Sequence, residues 1–192
     1  MKKLTRKRKN FIYIVTFILL LFMFVLTLQI KTDGMKNANE ATVYYRVYTK
    51  ENGWSRWSKN GITSGNKKNN ILNIQIKTKS KYSGITAFKI YNKNWSKYYD
   101  SKTDEGNYKK LKSSNIKAIK IFNDSELRKK YQICYRTYNK KNKWLNWVCE
   151  DEISGNKNEN ITAIEIKQIP NNVIKNEYLK DYDLIEISNI GF

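Results

Sequence analysis

The chain copies itself. Tyr45-Arg46-Val47-Tyr48 returns as Tyr135-Arg136-Thr137-Tyr138, Trp54 and Trp57 as Trp144 and Trp147, and Ser64-Gly65-Asn66-Lys67 as Ser154-Gly155-Asn156-Lys157. Asn70-Ile71 and Ile74-x-Ile76 come back as Asn160-Ile161 and Ile164-x-Ile166, so every pair is offset by 90 residues without a gap. Self-similarity at a fixed period marks a supersecondary unit that buries its apolar face against its own copies. An offset of 90 also leaves room for a worn middle copy. Trp95-x-x-Tyr98 and Gly106-Asn107 stand 41 residues beyond their counterparts in the first repeat, and Ile116-x-x-Ile119-x-Ile121 stands 45 beyond. The middle copy therefore carries four extra residues in the intervening loop. Three repeats cover 43–79, 82–123 and 131–170.

Each repeat reads as three strands. The first alternates, as in Val43-Tyr44-Tyr45-Arg46-Val47-Tyr48, and Glu51-Asn52-Gly53 then carries the Asn-Gly hairpin signal. The second strand holds the tryptophans, a polar loop from Asn60 to Asn70 follows, and Ile74-Gln75-Ile76-Lys77 alternates again. The single proline, Pro170, falls just past the third repeat, where a strand can stop. Without helical stretches between the strands, the expectation is an all-β fold. Three sheets sharing one core predict a β-prism-like arrangement around a pseudo-threefold axis, with a β-trefoil as the alternative. The tail, 171–192, holds an alternating run, Asp183 to Ile190, that could add a closing strand or remain a loose end.

Ahead of the repeats lies a segment of another kind. Residues 1–10 carry six Lys/Arg and no acid, and residues 11–30 carry no charge, with fifteen of the twenty being Leu, Ile, Phe or Val. A helix of that length rises about 30 Å, the thickness of the hydrocarbon core. The expected organisation is a cytoplasmic segment 1–10, a transmembrane signal-anchor helix 11–30, a linker 31–42 and an exported domain beyond it. A cleaved signal peptide is the rival reading, but Leu28-Gln29-Ile30-Lys31 offers no small-x-small cleavage site. Either way the repeats lie outside the cell.

Gly53-Trp54-Ser55-Arg56-Trp57, followed by Gly61 and Gly65 and ending in Ile74-Gln75-Ile76, resembles the clostridial hydrophobic-with-tryptophan (ChW) repeat. The resemblance covers 43–170. The third repeat keeps both tryptophans but has Lys143 where the glycine would be. The middle repeat has Tyr98 for the second tryptophan and lacks the tight turn. The family's Gly-Thr-Thr-Gly-Gln loop survives only as Ser64-Gly65-Asn66 and its copy. The resemblance implies an exported, surface-associated protein of a Gram-positive anaerobe, with an adhesive or ligand-binding role and no catalysis.

Composition narrows the chemistry. With two Cys and no His, a zinc site and the Ser-His and Cys-His nucleophile pairs are disfavoured, so neither an enzyme nor a cofactor or metal is expected. Cys134 and Cys149 flank a predicted hairpin turn near Lys141-Asn142 and would face each other across it. An exported location permits a disulfide there, and two free thiols are the alternative. Residues three apart on a strand point to opposite faces, so one tryptophan of each pair is expected in the core and the other over a sheet face. The candidate ligand-binding residues are Trp54, Trp57, Trp144 and Trp147, with Asn66 and Asn156 in loops read as turns first. An outward tryptophan could stack on a sugar ring. Outside residues 1–30 the net charge is +14, which predicts attraction to polyanions at a cell surface. The expected partners are the membrane, through the chain's own helix, and a glycan or cell-wall polymer. A docked partner protein is the alternative, and nucleic acid is disfavoured by export.

Overall fold

The computed structural model describes residues 13–26, 40–101 and 114–172. The chain divides into two compact parts, Met1–Asn37 and Ala38–Phe192. The first contains a helix over residues 13–26, α1, whose side chains from Tyr13 to Leu26 are all exposed. Among the described residues no helix is long and apolar enough to cross a membrane. The flanks of the expected 11–30 span, the basic segment 1–10 and most of the linker lie outside the described residues, as do the four-residue insertion of the middle repeat and the candidate closing strand in the tail.

The second part is built of β-strands, as the alternating patterns predict. The first repeat contains β1 (Ala41–Thr49), β2 (Gly53–Trp54), β3 (Ser58–Lys59), β4 (Ser64–Gly65) and β5 (Ile71–Ser80). The middle repeat contains β6 (Thr86–Tyr91), β7 (Tyr99–Asp100) and β8 (Ala118–Asn123). The third contains β9 (Tyr131–Asn139), β10 (Lys143–Trp144), β11 (Val148–Cys149), β12 (Ser154–Gly155) and β13 (Ile161–Pro170). A one-turn helix, α2 (Ser125–Lys130), joins the second repeat to the third and corrects the expectation that no helix interrupts the strands.

Each repeat forms an antiparallel hairpin of its two long strands. Tyr45, Arg46 and Val47 face Ile76, Gln75 and Ile74. Phe88, Lys89 and Ile90 face Ile121, Lys120 and Ile119, and Tyr135, Arg136 and Thr137 face Ile166, Glu165 and Ile164. The expected tryptophan strand is instead two separate two-residue strands on the far side of the first long strand, as β2 and β3 flank β1 and β10 and β11 flank β9. In the middle repeat Tyr91 bridges directly to Trp95. Its turn, Asn92 to Asn94, is thus shorter than the one joining Tyr48 to Trp54. That repeat does have a tight turn, contrary to expectation.

The Ser-Gly dipeptides are strands, not turns. β4 of the first repeat pairs with β13 of the third, and β12 of the third pairs with β8 of the second. The close approach demands glycine. A Cβ on Gly65 would sit 2.5 Å from the Thr162 carbonyl oxygen, and one on Gly155 would sit 2.3 Å from that of Lys117. Their φ angles, +103° and +110°, are ones that other residues rarely adopt.

One apolar core takes residues from all three repeats: Val43, Tyr45 and Ile76, Phe88, Ile90 and Ile121, and Ile133, Tyr135 and Ile166 among them. Ile71, Ile74, Ile116, Ile119, Ile161 and Ile164, two from each repeat, line one small apolar void. Backbone bonds join the repeats at this level, Ile116 N–H to Ile71 O at 2.9 Å and Ile161 N–H to Ile116 O at 2.8 Å. A further layer is polar and buried. The hydroxyls of Thr78 and Thr86 are 2.7 Å apart, and Thr86 Oγ1 donates to Asn123 Oδ1 at 2.8 Å. Asn123 Nδ2 donates in turn to Gln168 Oε1 at 2.8 Å. Such a network, satisfied across three repeats, locks their register because any slip leaves buried amides unpaired.

Candidate functional site

The tryptophans lie outside the apolar core that the three repeats share. β1 alternates strictly, with Val43, Tyr45 and Val47 inward and Tyr44, Arg46 and Tyr48 on the other face. On that outer face Arg46 lies over both tryptophans of its repeat, its Cζ 4.9 Å from the Trp54 ring centroid and 4.6 Å from that of Trp57. Tyr48 meets Trp54 edge-on at 5.5 Å, and Lys77 Nζ lies over Trp57 at 4.7 Å. The expectation of one core and one surface tryptophan is therefore corrected. Residues 55–57 leave the strand between β2 and β3, so the rule of opposite faces for residues three apart does not apply, and both rings fall on one side.

The same ladder recurs twice. In the third repeat Arg136 lies over Trp144 and Trp147 at 4.7 and 4.9 Å, with Lys167 over Trp147 at 5.0 Å and Tyr138 edge-on to Trp144 at 5.5 Å. In the middle repeat Lys89 lies over Trp95 and Tyr98 at 5.5 and 4.6 Å, and Tyr91 packs edge-on against Trp95. Cation–π contacts of this kind contribute about 0.5–2 kcal/mol each, and more as water is excluded.

The neighbouring repeats complete two of the ladders. Lys67, next to Asn66, places its Nζ over Tyr138 and Trp144 of the third repeat, at 5.6 and 5.3 Å. Lys157, next to Asn156, reaches Tyr91 of the middle repeat at 5.3 Å. Asn66 and Asn156 shape the turns that aim these lysines. Asn66 Oδ1 accepts from the backbone N–H groups of Lys68 and Asn69, and Asn156 Oδ1 from those of Asn158 and Glu159. Both carboxamide oxygens are thus engaged by two backbone N–H groups each.

The cations are balanced differently in the three repeats. Arg46 Nε donates to the neutral Gln75 Oε1 at 2.5 Å. Arg136 Nε donates to Glu165 Oε2 at 2.7 Å, with both side chains buried. Lys120 of the middle repeat is 3.4 Å from Asp151 Oδ2, and Tyr98 donates to Asp151 Oδ1 at 3.0 Å.

Cys134 and Cys149 are bonded across β9 and β11, with Cα atoms 4.1 Å apart, and Ile169 and Trp147 pack against them. The matching pair in the first repeat is Tyr44 and Lys59. Two loops latch the repeats together near this point. Asn60 Oδ1 accepts from Val43 N–H at 3.1 Å and from Gln168 N–H at 3.5 Å. Its counterpart Glu150 accepts from Ile133 N–H at 2.8 Å and Asn123 N–H at 3.2 Å. Burial pushes the Glu150 carboxyl above its ordinary value, and the two N–H donors offset this in part. Burial also raises the phenol of Tyr135, which accepts from Ile121 N–H at 2.9 Å.

The residues that sequence reasoning passed over are the cations themselves: Arg46, Lys77, Lys89, Lys120, Arg136 and Lys167. Their signal was present, because Tyr-Arg-x-Tyr and Ile-Lys both recur at the 90-residue offset alongside the tryptophans. No protein family matches the chain, and neither a curated protein nor a solved structure does.

Proposed function

We propose that the chain is a membrane-anchored binding module, displayed on the outer surface of a bacterial cell, that recognises an anionic cell-wall polymer or a charged carbohydrate without catalysis. The observation that carries this reading is the outer-face ladder, in which each sheet alternates aromatic rings with cations held over them. A cation clamped on a ring has lost most of its rotamer freedom before a ligand arrives, which lowers the cost of binding. Stacking of a neutral sugar draws less support, because Trp54, Trp57, Trp144 and Trp147 already have cations over them.

The anchor is α1 within its uncharged run, with the basic residues 1–10 in the cytoplasm; the exposed apolar side chains from Tyr13 to Leu26 support it. The fold is β-prism-like, with a β-trefoil as the alternative; the isoleucine pairs contributed by each repeat support a threefold arrangement. Membership of the ChW repeat family rests on the Gly-Trp-x-x-Trp motif and its copy. Docking of a partner protein is less favoured. Ile62, Tyr98 and Ile153 are the exposed large apolar residues among those described in the β-domain, too few for an apolar interface core.

The test is a binding panel with the full chain in detergent micelles: a phosphodiester polymer, a sulfated glycan, a polyuronate and an uncharged glucan, each at low and high salt. Binding to the charged polymers that weakens as salt rises is expected. Equal, salt-insensitive binding to the uncharged glucan would overturn the proposal.

A further inference from the structure

The three ladders share a plan and differ in what neutralises the central cation. Arg136 is matched by the buried carboxylate of Glu165, whereas Lys89, the middle repeat's cation at the same register, faces Lys120, which Asp151 pairs. At the register position of Glu165 the first repeat has Gln75, which has the same shape and no charge. Arg46 donates its Nε–H to Gln75 and rests over Trp54 and Trp57. Among the described residues no carboxylate pairs with Arg46, and none accepts a hydrogen bond from its terminal amino groups. Its side chain is half-buried rather than enclosed. Here is a guanidinium whose plane is set by one hydrogen bond and two rings, and whose charge has no carboxylate partner among the described residues.

We propose that the first repeat is the specific anion site of the molecule, and that Arg46 takes an oxyanion group bidentate on its two terminal amino groups. This rests on the reading of the ladders as polyanion-binding surfaces and names the residue and the ligand chemistry. The ligand group carries two oxygens on one centre, as in a phosphodiester, a sulfate ester or a carboxylate, because only that geometry matches both arms of the fork. The third repeat is the closed form of the same device, in which Glu165 occupies the arginine from within. A surface lysine offers a mobile, well-hydrated point charge, whereas Arg46 is partly desolvated and already oriented, so the anion gains more there.

The test uses the full chain in detergent micelles and the same four polymers at physiological salt. Gln75→Glu copies the third repeat into the first and supplies Arg46 with an internal carboxylate. Lys93→Gln, at an exposed position outside the ladders, lowers the net charge by the same amount. Gln75→Glu is expected to weaken binding of the preferred charged polymer about tenfold or more, and Lys93→Gln by less than about twofold. The ranking of the three charged polymers identifies which oxyanion the site takes. Equal losses in the two variants would overturn the Arg46 site while leaving the general polyanion reading intact. Absence of binding to every charged polymer by the unmodified chain would overturn both. Arg46→Lys keeps the charge and removes the fork. It should lose as much as Gln75→Glu, it decides the matter if Gln75→Glu fails to fold, and unchanged affinity would overturn the bidentate geometry.

Discussion

The first and third repeats carry the same motif at the same register, yet one is open and the other internally closed. In the first, Arg46 bonds a neutral amide, Lys77 is exposed, and Tyr44 faces Lys59 across the strands. In the third, Arg136 bonds a buried carboxylate, Lys167 is buried under Gly61 of the first repeat, and a disulfide occupies the Tyr44–Lys59 position. Trp144 and Trp147 also bury their Nε1–H groups without an acceptor among the described residues. A buried indole N–H without a partner costs about 1–3 kcal/mol, so the third repeat holds its rings as packing at the expense of their polar ends. The contrast teaches that copies of one scaffold can divide their labour. The third repeat anchors the neighbouring sheet, and the first keeps its cation outward.

That contrast can be broken at several points. The largest expected effect is at the buried ion pair. Arg136→Ala leaves the buried Glu165 charged with the Thr63 hydroxyl as its remaining donor and should destabilise by about 3 kcal/mol. Arg46→Ala leaves only an amide and should cost about 1–2 kcal/mol, beyond which the asymmetry fails. Urea unfolding followed by tryptophan fluorescence reads both. Next comes the disulfide. Replacing Cys134 and Cys149 together by serine opens a loop with a sequence separation of 15 residues. The loss should be about 3 kcal/mol on the chain-entropy account, and no change in urea midpoint would mean that the bond does not staple the third repeat.

A smaller effect is expected at the hairpin turn. Gly53 has φ +67° and its counterpart Lys143 has φ +65°, a conformation that strains any residue with a Cβ. Lys143→Gly should therefore stabilise by about 0.5–1 kcal/mol, and a destabilised variant would show that Lys143 earns its place through contacts. The smallest is a pH effect at the latch. Asn60 and Glu150 hold equivalent backbone groups, but only Glu150 titrates. Its carboxyl lies above its unfolded value, so the folded state binds the proton more tightly than the unfolded one. Stability from this group is greatest in acid and falls as pH rises from the ordinary carboxylate range through the raised value. Across that window the stability of Glu150→Gln should thus fall less, or rise more, with pH than that of the unmodified chain; an identical slope would remove Glu150 as a contributor.

Much of this was legible in one dimension. Alternation in Val43 to Tyr48 and in Ile74 to Lys77 identified the long strands, because a period of two leaves one face for the core. Cys134 and Cys149 lie symmetrically about the turn near Lys141-Asn142, which placed them opposite each other across a hairpin. The tryptophans were misread because periodicity assumes an unbroken strand, and residues 55–57 leave it. The role of Ser64-Gly65 was also hidden. A dipeptide strand has no pattern of its own, and its partner, Ala163 and Ile164, lies about a hundred residues away.

The sequence by itself determined that a sheet unit recurs and that its isoleucine rows must be covered by copies of themselves, since burial follows from local alternation. The tertiary structure alone decided which cation meets which ring, which dipeptide crosses to which sheet, and that Arg46 lacks the carboxylate Arg136 has. Those outcomes depend on side chains distant along the chain and adjacent in space, a relation that spacing along the backbone does not encode.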